Sequence, residues 1–217
     1  MALKIGVVHQ KGGVGKSTVA RLIACEYAGS GWNSRIADMD SKQGTSSEWQ
    51  RRRLEHGIEP TVSVEQFSRV SRSLRIEDNF DLLVFDGAPH ATATTLDIAR
   101  VSDLVILPTG LSLDDLIPTV KLAHELKKHG IDREKIAVAL CRVGNSLVEI
   151  EEAREYIKVS GYYLLNGVLP ERTAYRRASD AGQSATETPY SSLNDKAGRL
   201  MQSIVDRLEE LTTLAAA

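Results

Sequence analysis

Cysteine is scarce in this chain: two in 217 residues, Cys25 and Cys141, far apart and outside any C-x-x-C or Cys/His spacing. That excludes a disulfide framework and a zinc ribbon, and marks both thiols as small buried apolar side chains. No apolar run approaches the ~18 residues of a membrane span, and the first residues lead into a strand-like run with no cleavable apolar region, so the expected location is the cytoplasm. Positive charge is not in excess, with 27 Lys and Arg against 29 Asp and Glu and a formal charge of −2. A uniformly basic nucleic-acid binder is thereby excluded, and any contact with DNA must rest on local arrangement. Repeats, low-complexity tracts and linkers are missing, and 217 residues supply too little core for two independent domains. One α/β domain over residues 1–217 is expected.

What the chain does have is alternation of element types. Leu3 to Val8, Arg35 to Asp38, Leu82 to Phe85, Leu104 to Leu107, Ile136 to Leu140 and Tyr163 to Leu169 are short continuous apolar runs, which read as buried strands. Between them, Ser17 to Ala28, Ser46 to Glu55, Val64 to Arg75, Thr92 to Arg100, Leu116 to Lys128 and Leu147 to Ser160 carry helical periodicity, and Leu193 to Leu214 forms an amphipathic tail helix. Pro118 fits a helix only if that helix starts two or three residues earlier. Such alternation predicts an α/β fold with a mostly parallel central sheet covered by helices on both faces.

Between the first strand and first helix lies Gln10-Lys11-Gly12-Gly13-Val14-Gly15-Lys16-Ser17-Thr18. Glycines there leave successive backbone N–H groups free to point at phosphate oxygens, and the helix N-terminus adds positive potential. Lys16 is placed to reach the β- and γ-phosphates and the Ser17 hydroxyl to ligate Mg²⁺, which makes Gly12, Gly13, Val14, Gly15, Lys16, Ser17 and Thr18 the candidate nucleotide loop. The general P-loop pattern G-x-x-x-x-G-K-[ST] asks for glycine where Gln10 stands, so the motif is a variant form. Two further acidic segments follow strands: Asp38-Met39-Asp40-Ser41-Lys42-Gln43-Gly44, and Asp86-Gly87-Ala88-Pro89 after Phe80 to Phe85. In an open parallel sheet, ligands bind at those carboxyl ends.

Lys11-Gly12-Gly13-Val14-Gly15-Lys16-Ser17 resembles the deviant Walker A motif of the ParA/MinD class of P-loop NTPases. The resemblance implies that Lys11 reaches across a nucleotide-sandwich dimer to the partner's phosphates, as a cationic finger supplied in trans. Asp38 to Gly44 is similar to the family's switch I, commonly D-x-D-P-Q, with Ser41-Lys42 in place of the usual proline; it implies that Asp40 positions or activates the attacking water and that Asp38 supports the Mg²⁺ shell. Phe80 to Pro89 resembles Walker B with switch II, in which Asp86 holds Mg²⁺ through water and Gly87 brings an N–H near the γ-phosphate. Leu169 to Ala178, with a loop over Gly182 to Glu187, resembles the ParA segment around the base, so Arg142, Pro170 and Glu171 are adenine-side candidates. No Asn-Lys-x-Asp guanine-reading motif occurs, which favours ATP over GTP.

With no residues ahead of the P-loop strand for a helix-turn-helix, the chain looks like the short ParA subtype. The family resemblance then implies an ATP-dependent homodimer, non-specific binding of double-stranded DNA in that state, association with the nucleoid, and stimulation by a ParB-like centromere-binding partner. Arg172, Arg176 and Arg177 are the first-ranked DNA contacts, ahead of Arg51 to Arg53 and the series Arg69, Arg72, Arg75. Trp32 and Trp49 read as packing residues and His9 and His90 as bystanders. Two other readings stay open. A MinD-like membrane-cycling ATPase needs a basic amphipathic tail, disfavoured by Glu209-Glu210 beside Arg207, so no membrane partner is expected. A dethiobiotin-synthetase-like ligase would bind a small acid beside ATP.

Overall fold

The computed structural model describes residues 2–40, 44–90 and 92–216. Among these residues seven strands form one sheet: β1 (Leu3–Val7), β2 (Ser34–Asp38), β3 (Ser63–Gln66), β4 (Leu82–Asp86), β5 (Leu104–Thr109), β6 (Ile136–Val143) and β7 (Tyr163–Pro170). Their order is β3-β2-β4-β1-β5-β6-β7, and every pairing is parallel. The helices are α1 (Lys16–Gly29), α2 (Thr45–Glu55), α3 (Val70–Ser73), α4 (Thr92–Val101), α5 (Leu113–Lys128), α6 (Leu147–Ser160), α7 (Thr173–Asp180) and α8 (Ser191–Ala216).

A parallel sheet needs cover on both faces, and the pleat divides the apolar residues accordingly. Along β4, Leu82 and Val84 join the core under α1, α2 and α8, while Leu83 and Phe85 join the core under α4, α5 and α6. Each fully buried aliphatic or aromatic side chain here contributes about 1.5–3 kcal/mol. Cys25 and Cys141 are buried free thiols, and burial pushes both up to about 12, so they pack and do not react.

Chain order places the site. From β1 the chain moves to one side through β2 and β3 and returns to β4, then crosses to the other side through β5, β6 and β7. β1 therefore lies where the direction of travel reverses, with β4 and β5 as its neighbours, and a crevice opens beyond its carboxyl end. The loop Val8 to Gly15 occupies that crevice.

The expected helix from Val64 to Arg75 is corrected. Residues Ser63–Gln66 form the edge strand β3 against β2, only Val70–Ser73 is α-helical, and Leu74–Asn79 is a 3₁₀ segment. Val64, Phe67, Val70 and Leu74 mimic helical spacing, but Val62 and Val64 alternate with Ser63 and Glu65 and turn to one face. Helix α5 starts at Leu113, so Pro118 lies five residues in rather than two or three. Trp49 is fully buried as a packing residue, whereas Trp32 is 40% exposed and sits edge-on to Tyr27.

Candidate nucleotide site

Gly15 closes the loop against α1 with φ 108°, a left-handed conformation that suits glycine. A β-carbon there would also lie 3.2 Å from that of Cys141, so alanine would be strained and would require Cys141 to give by a few tenths of an ångström. The first turn of α1 carries no side-chain cap, which leaves its N–H groups and dipole for an anion. Gly12, Gly13, Gly15, Lys16, Ser17 and Thr18 line one side of a cleft of about 650 Å³, and Val14 is buried beneath them. Lys16 is 7% exposed and donates to the Lys11 carbonyl at 3.0 Å. Burial lowers its affinity for a proton, and the charges of Asp86 and Asp40 oppose that shift. The loop thus holds a desolvated ammonium that donates to a neutral carbonyl, with the carboxylates of Asp86 and Asp40 near enough to act on its charge.

Asp38 and Asp86 end adjacent parallel strands at the same level. Asp38 is buried, and its Oδ1 accepts the Asp40 N–H at 3.0 Å while Oδ2 accepts those of Ser46 and Ser47 at 3.1 and 3.3 Å. It therefore shapes the loop into α2 by taking up backbone donors at that helix's uncapped start. Asp86 is 3% exposed, and burial pushes its carboxyl up. Ser46, Arg21, Ser17 and Lys16 all favour the ionised form. Its Oδ2 accepts the Ser46 hydroxyl at 2.7 Å, yet Oδ1 has no hydrogen-bond partner among the described residues. A buried carboxylate oxygen left unpaired is costly, and a ligand that brings a donor or a cation would relieve it. Asp40 lines the same cleft, and Ser41 to Gln43 of the segment similar to switch I lie outside the described residues.

Lys11 points away from the cleft floor. Its ammonium pairs with Asp115 and lies 3.5 Å from the Asp114 carbonyl. That carbonyl is free because Pro118, four residues on, has no N–H to give it. His9 is no bystander. Its Nδ1 accepts the Lys11 N–H at 2.9 Å, so the ring proton is on Nε2 and faces Thr119 Oγ1 at 2.9 Å, and the Thr119 hydroxyl donates to the Asp115 carbonyl at 2.7 Å. One buried ring thus ties the loop to the first turns of α5.

That ring predicts a pH effect. Burial, followed by the charge of Lys16, pushes His9 from 6.5 down to about 4; Lys11 acts in the same direction and Asp115 opposes. The unfolded chain takes up this proton near 6.5 and the folded one only near 4, so stability is lost as pH falls through that window, by about 3 kcal/mol at its end. In thermal melts from pH 7 to pH 4.5, the midpoint of the wild type should fall more steeply than that of His9→Asn. Parallel curves would contradict the buried neutral ring.

The far wall brings together Arg142, Pro170 and Glu171. Arg142 has φ 57° at an irregularity in the pairing of β6 with β7, which turns its side chain outward. Its guanidinium donates to Glu171 Oε2 at 3.1 Å and to the Gly13 carbonyl at 3.2 Å, joining this wall to the phosphate loop. Arg176 pairs with the other Glu171 oxygen, and Arg172 donates to Asn145 and to the Glu171 carbonyl. Arg172 and Arg176 therefore line the cleft, while the exposed Arg177 lies outside it.

The Arg51 to Arg53 cluster is corrected as a surface patch. Arg53 is fully buried, chelated by Glu187 at 2.7 Å through both terminal nitrogens and stacked 5.4 Å from the Trp49 ring. Arg51 is engaged by Glu48 and Glu55 on its own helix. Arg69, Arg72 and Arg75 are exposed.

Four residues of this neighbourhood escaped sequence reasoning: His9, Arg21, Ser46 and Asp115. Ser112-Leu113-Asp114-Asp115 carries a signal, the S-x-x-[DE] of a helix start, but nothing local says that Asp115 faces Lys11 from 104 residues away.

Residues 5–185 match the nucleotide-binding domain family described as CbiA: CobQ/CobB/MinD/ParA. Among curated sequences none matches. Similar solved structures include the septum site-determining protein MinD of Pyrococcus horikoshii OT3 complexed with Mg-ADP, at 20% identity over 94% of this chain and 96% of that one, TM-score 0.73. A plasmid partition protein of Borrelia burgdorferi B31 bound to AMPPNP is similar at 14% identity over 95% and 100%, TM-score 0.74. A Cyanothece McdA–ATP complex follows at 14% over 94% and 96%, TM-score 0.68. At these identities the likeness is one of fold. The family match spans most of the chain and includes the loop, both acidic strand ends and the far wall: the chain belongs to the CobQ/CobB/MinD/ParA nucleotide-binding domain family.

Proposed function

We propose that this chain is an ATPase that acts as a nucleotide switch in DNA partition. The observation that carries the reading is one cleft holding Lys16 under the phosphate loop beside a buried carboxylate, Asp86, with an unpartnered oxygen. ATP is the substrate: the phosphate loop takes its β- and γ-phosphates, Lys16 balances their charge, and Arg142, Pro170 and Glu171 flank the base. Mg²⁺ fits the donor set, because Ser17 and Asp86 offer hard oxygens and Mg²⁺ characteristically takes few protein ligands beside phosphates. Asp38 supports that shell from behind by holding the loop. When bound, the ion would neutralise charge developing on the phosphate oxygens.

Hydrolysis breaks the bond between the γ-phosphorus and its bridging oxygen as water attacks in line. Asp40 orients that water and accepts its proton, and Lys11 of a second copy offsets charge on the transferring group. Lys11 must leave Asp115 to do so, which makes the pair a resting position. The ATP-bound dimer binds double-stranded DNA without sequence preference, and a ParB-like centromere-binding protein stimulates turnover. The similar Borrelia protein, bound to AMPPNP and described as a plasmid partition protein, supports this role. A membrane-cycling role like that of MinD has less support. Arg207, the lone cation of the tail segment Asp206 to Ala217, is buried against Glu134 and Glu210 instead of facing outward.

DNA contact is tested through Arg177, since Arg172 and Arg176 also touch the nucleotide cleft. If each subunit of a dimer neutralises about three phosphates, log affinity should fall against log salt with a slope of roughly −5. Arg177→Ala removes two contacts per dimer and should flatten the slope by nearly 2 units, equally for two unrelated duplexes. Fluorescence anisotropy over a salt series, with ADP and with ATP, measures this. Binding that ignores the nucleotide contradicts the switch. An unchanged slope moves the contact to Arg69, Arg72 and Arg75.

A further inference from the structure

Ser46 occupies a singular position at the start of α2. It is fully buried between the two acidic strand ends. Its N–H is held by Asp38, its hydroxyl donates to Asp86 Oδ2 at 2.7 Å, and the same oxygen lies 3.3 Å from Arg21 Nε. A serine oxygen has one proton and two lone pairs, so the contact with Arg21 makes it an acceptor there and leaves its proton for Asp86. Arg21 is itself clamped: it donates to the Thr45 carbonyl at 2.7 Å and to Ser179 of α7 at 2.8 Å, and stacks 5.5 Å from the Trp49 ring. The serine is thus fixed by three elements, α1, α2 and, through Arg21, α7.

The consequence falls on Asp86. An aspartate χ2 torsion is broad, and a carboxylate without a partner would turn freely in its site. With Oδ2 committed to Ser46, the rotation is set and Oδ1 is left without a hydrogen-bond partner among the described residues, on a residue that lines the cleft. Carboxylates that serve metals are themselves oriented by hydrogen bonds, and losing such a partner costs about 10–100-fold in metal affinity.

We propose that Ser46, braced by Arg21, is a positioning residue that orients the Asp86 carboxylate for the divalent cation accompanying the nucleotide. This rests on the assignment of Asp86 to the Mg²⁺ shell. It adds a residue of the first turn of α2 to the set that determines how tightly Mg²⁺-nucleotide is held, so that displacement of α2 would weaken the cation's grip.

The test is a titration of Mg²⁺ into the protein with a fluorescent ADP analogue, for the wild type and Ser46→Ala, alongside binding in EDTA. The wild type should bind more tightly as Mg²⁺ rises. In Ser46→Ala the half-saturating Mg²⁺ should increase about tenfold, while affinity in EDTA stays within twofold. Ser46→Cys leaves no void and keeps a weak donor on a somewhat larger side chain, so its shift should be smaller and in the same direction; it serves as the readout where alanine lowers the melting midpoint. No Mg²⁺ dependence in the wild type overturns the assignment of Asp86 itself. A Mg²⁺-dependent wild type with Ser46→Ala superimposed on it, or with equal losses in EDTA and Mg²⁺, overturns the positioning role alone.

Discussion

Lys11→Ala should lower ATP turnover by about 10³-fold and leave nucleotide affinity within about twofold, because a cation delivered in trans acts on the transition state and not on the bound ground state. In the single chain Lys11 is half exposed and held by Asp115, 16% exposed, on α5. Lys16 lines the cleft while the Lys11 ammonium is turned to Asp115, so in the proposed mechanism Lys16 alone serves the phosphates of its own chain's cleft. The Lys11 backbone carbonyl, which accepts from Lys16 at 3.0 Å, survives the substitution. Steady-state phosphate release beside equilibrium binding of a fluorescent ATP analogue separates the two quantities. A fall in affinity equal to the fall in turnover would place Lys11 in its own cleft and remove the trans role.

Asp40→Ala should abolish most hydrolysis in a different way, by about 10² to 10⁴-fold, with ATP still bound. Asp40 lines the cleft close enough to Lys16 to stabilise its charge. Its main chain is secured independently: its N–H goes to Asp38 at 3.0 Å and its carbonyl accepts from Gly44 at 2.8 Å. Removal of the carboxylate leaves both of these main-chain bonds available. Single-turnover rates measure the loss, and normal turnover in Asp40→Ala would overturn its assignment to the attacking water.

The sequence made the sheet and the phosphate loop legible for a physical reason: both depend on local pattern. Continuous apolar runs such as Leu82 to Phe85 occur where a strand is buried on both faces, and six of the seven strands read that way. The edge strand β3 was not legible, because it pairs on one edge only and its single valine, Val64, sits within a helix-like spacing with Phe67 and Val70. The glycines, Lys16 and the strand-end acids announce phosphate chemistry, since few other structures need them in that order. The residues that hold them do not. Arg53 reads as part of a solvated basic run, yet its partner Glu187 lies 134 residues away and turns it into a buried anchor. Arg21 and Ser46 are ordinary helix residues until the fold brings them to Asp86, and His9 gains its role only when Thr119 arrives from α5. Long-range partners decide these roles, and no local spacing encodes them.

In the proposed switch ATP, and not ADP, brings two copies together so that each Lys11 leaves Asp115 for the other's phosphates. Sedimentation velocity of the wild type in Mg²⁺, with ADP and with a slowly hydrolysed ATP analogue, measures this directly. The expected result is the mass of one chain with ADP and of two chains with the ATP analogue. One mass in both nucleotides, whether of one chain or of two, would contradict it.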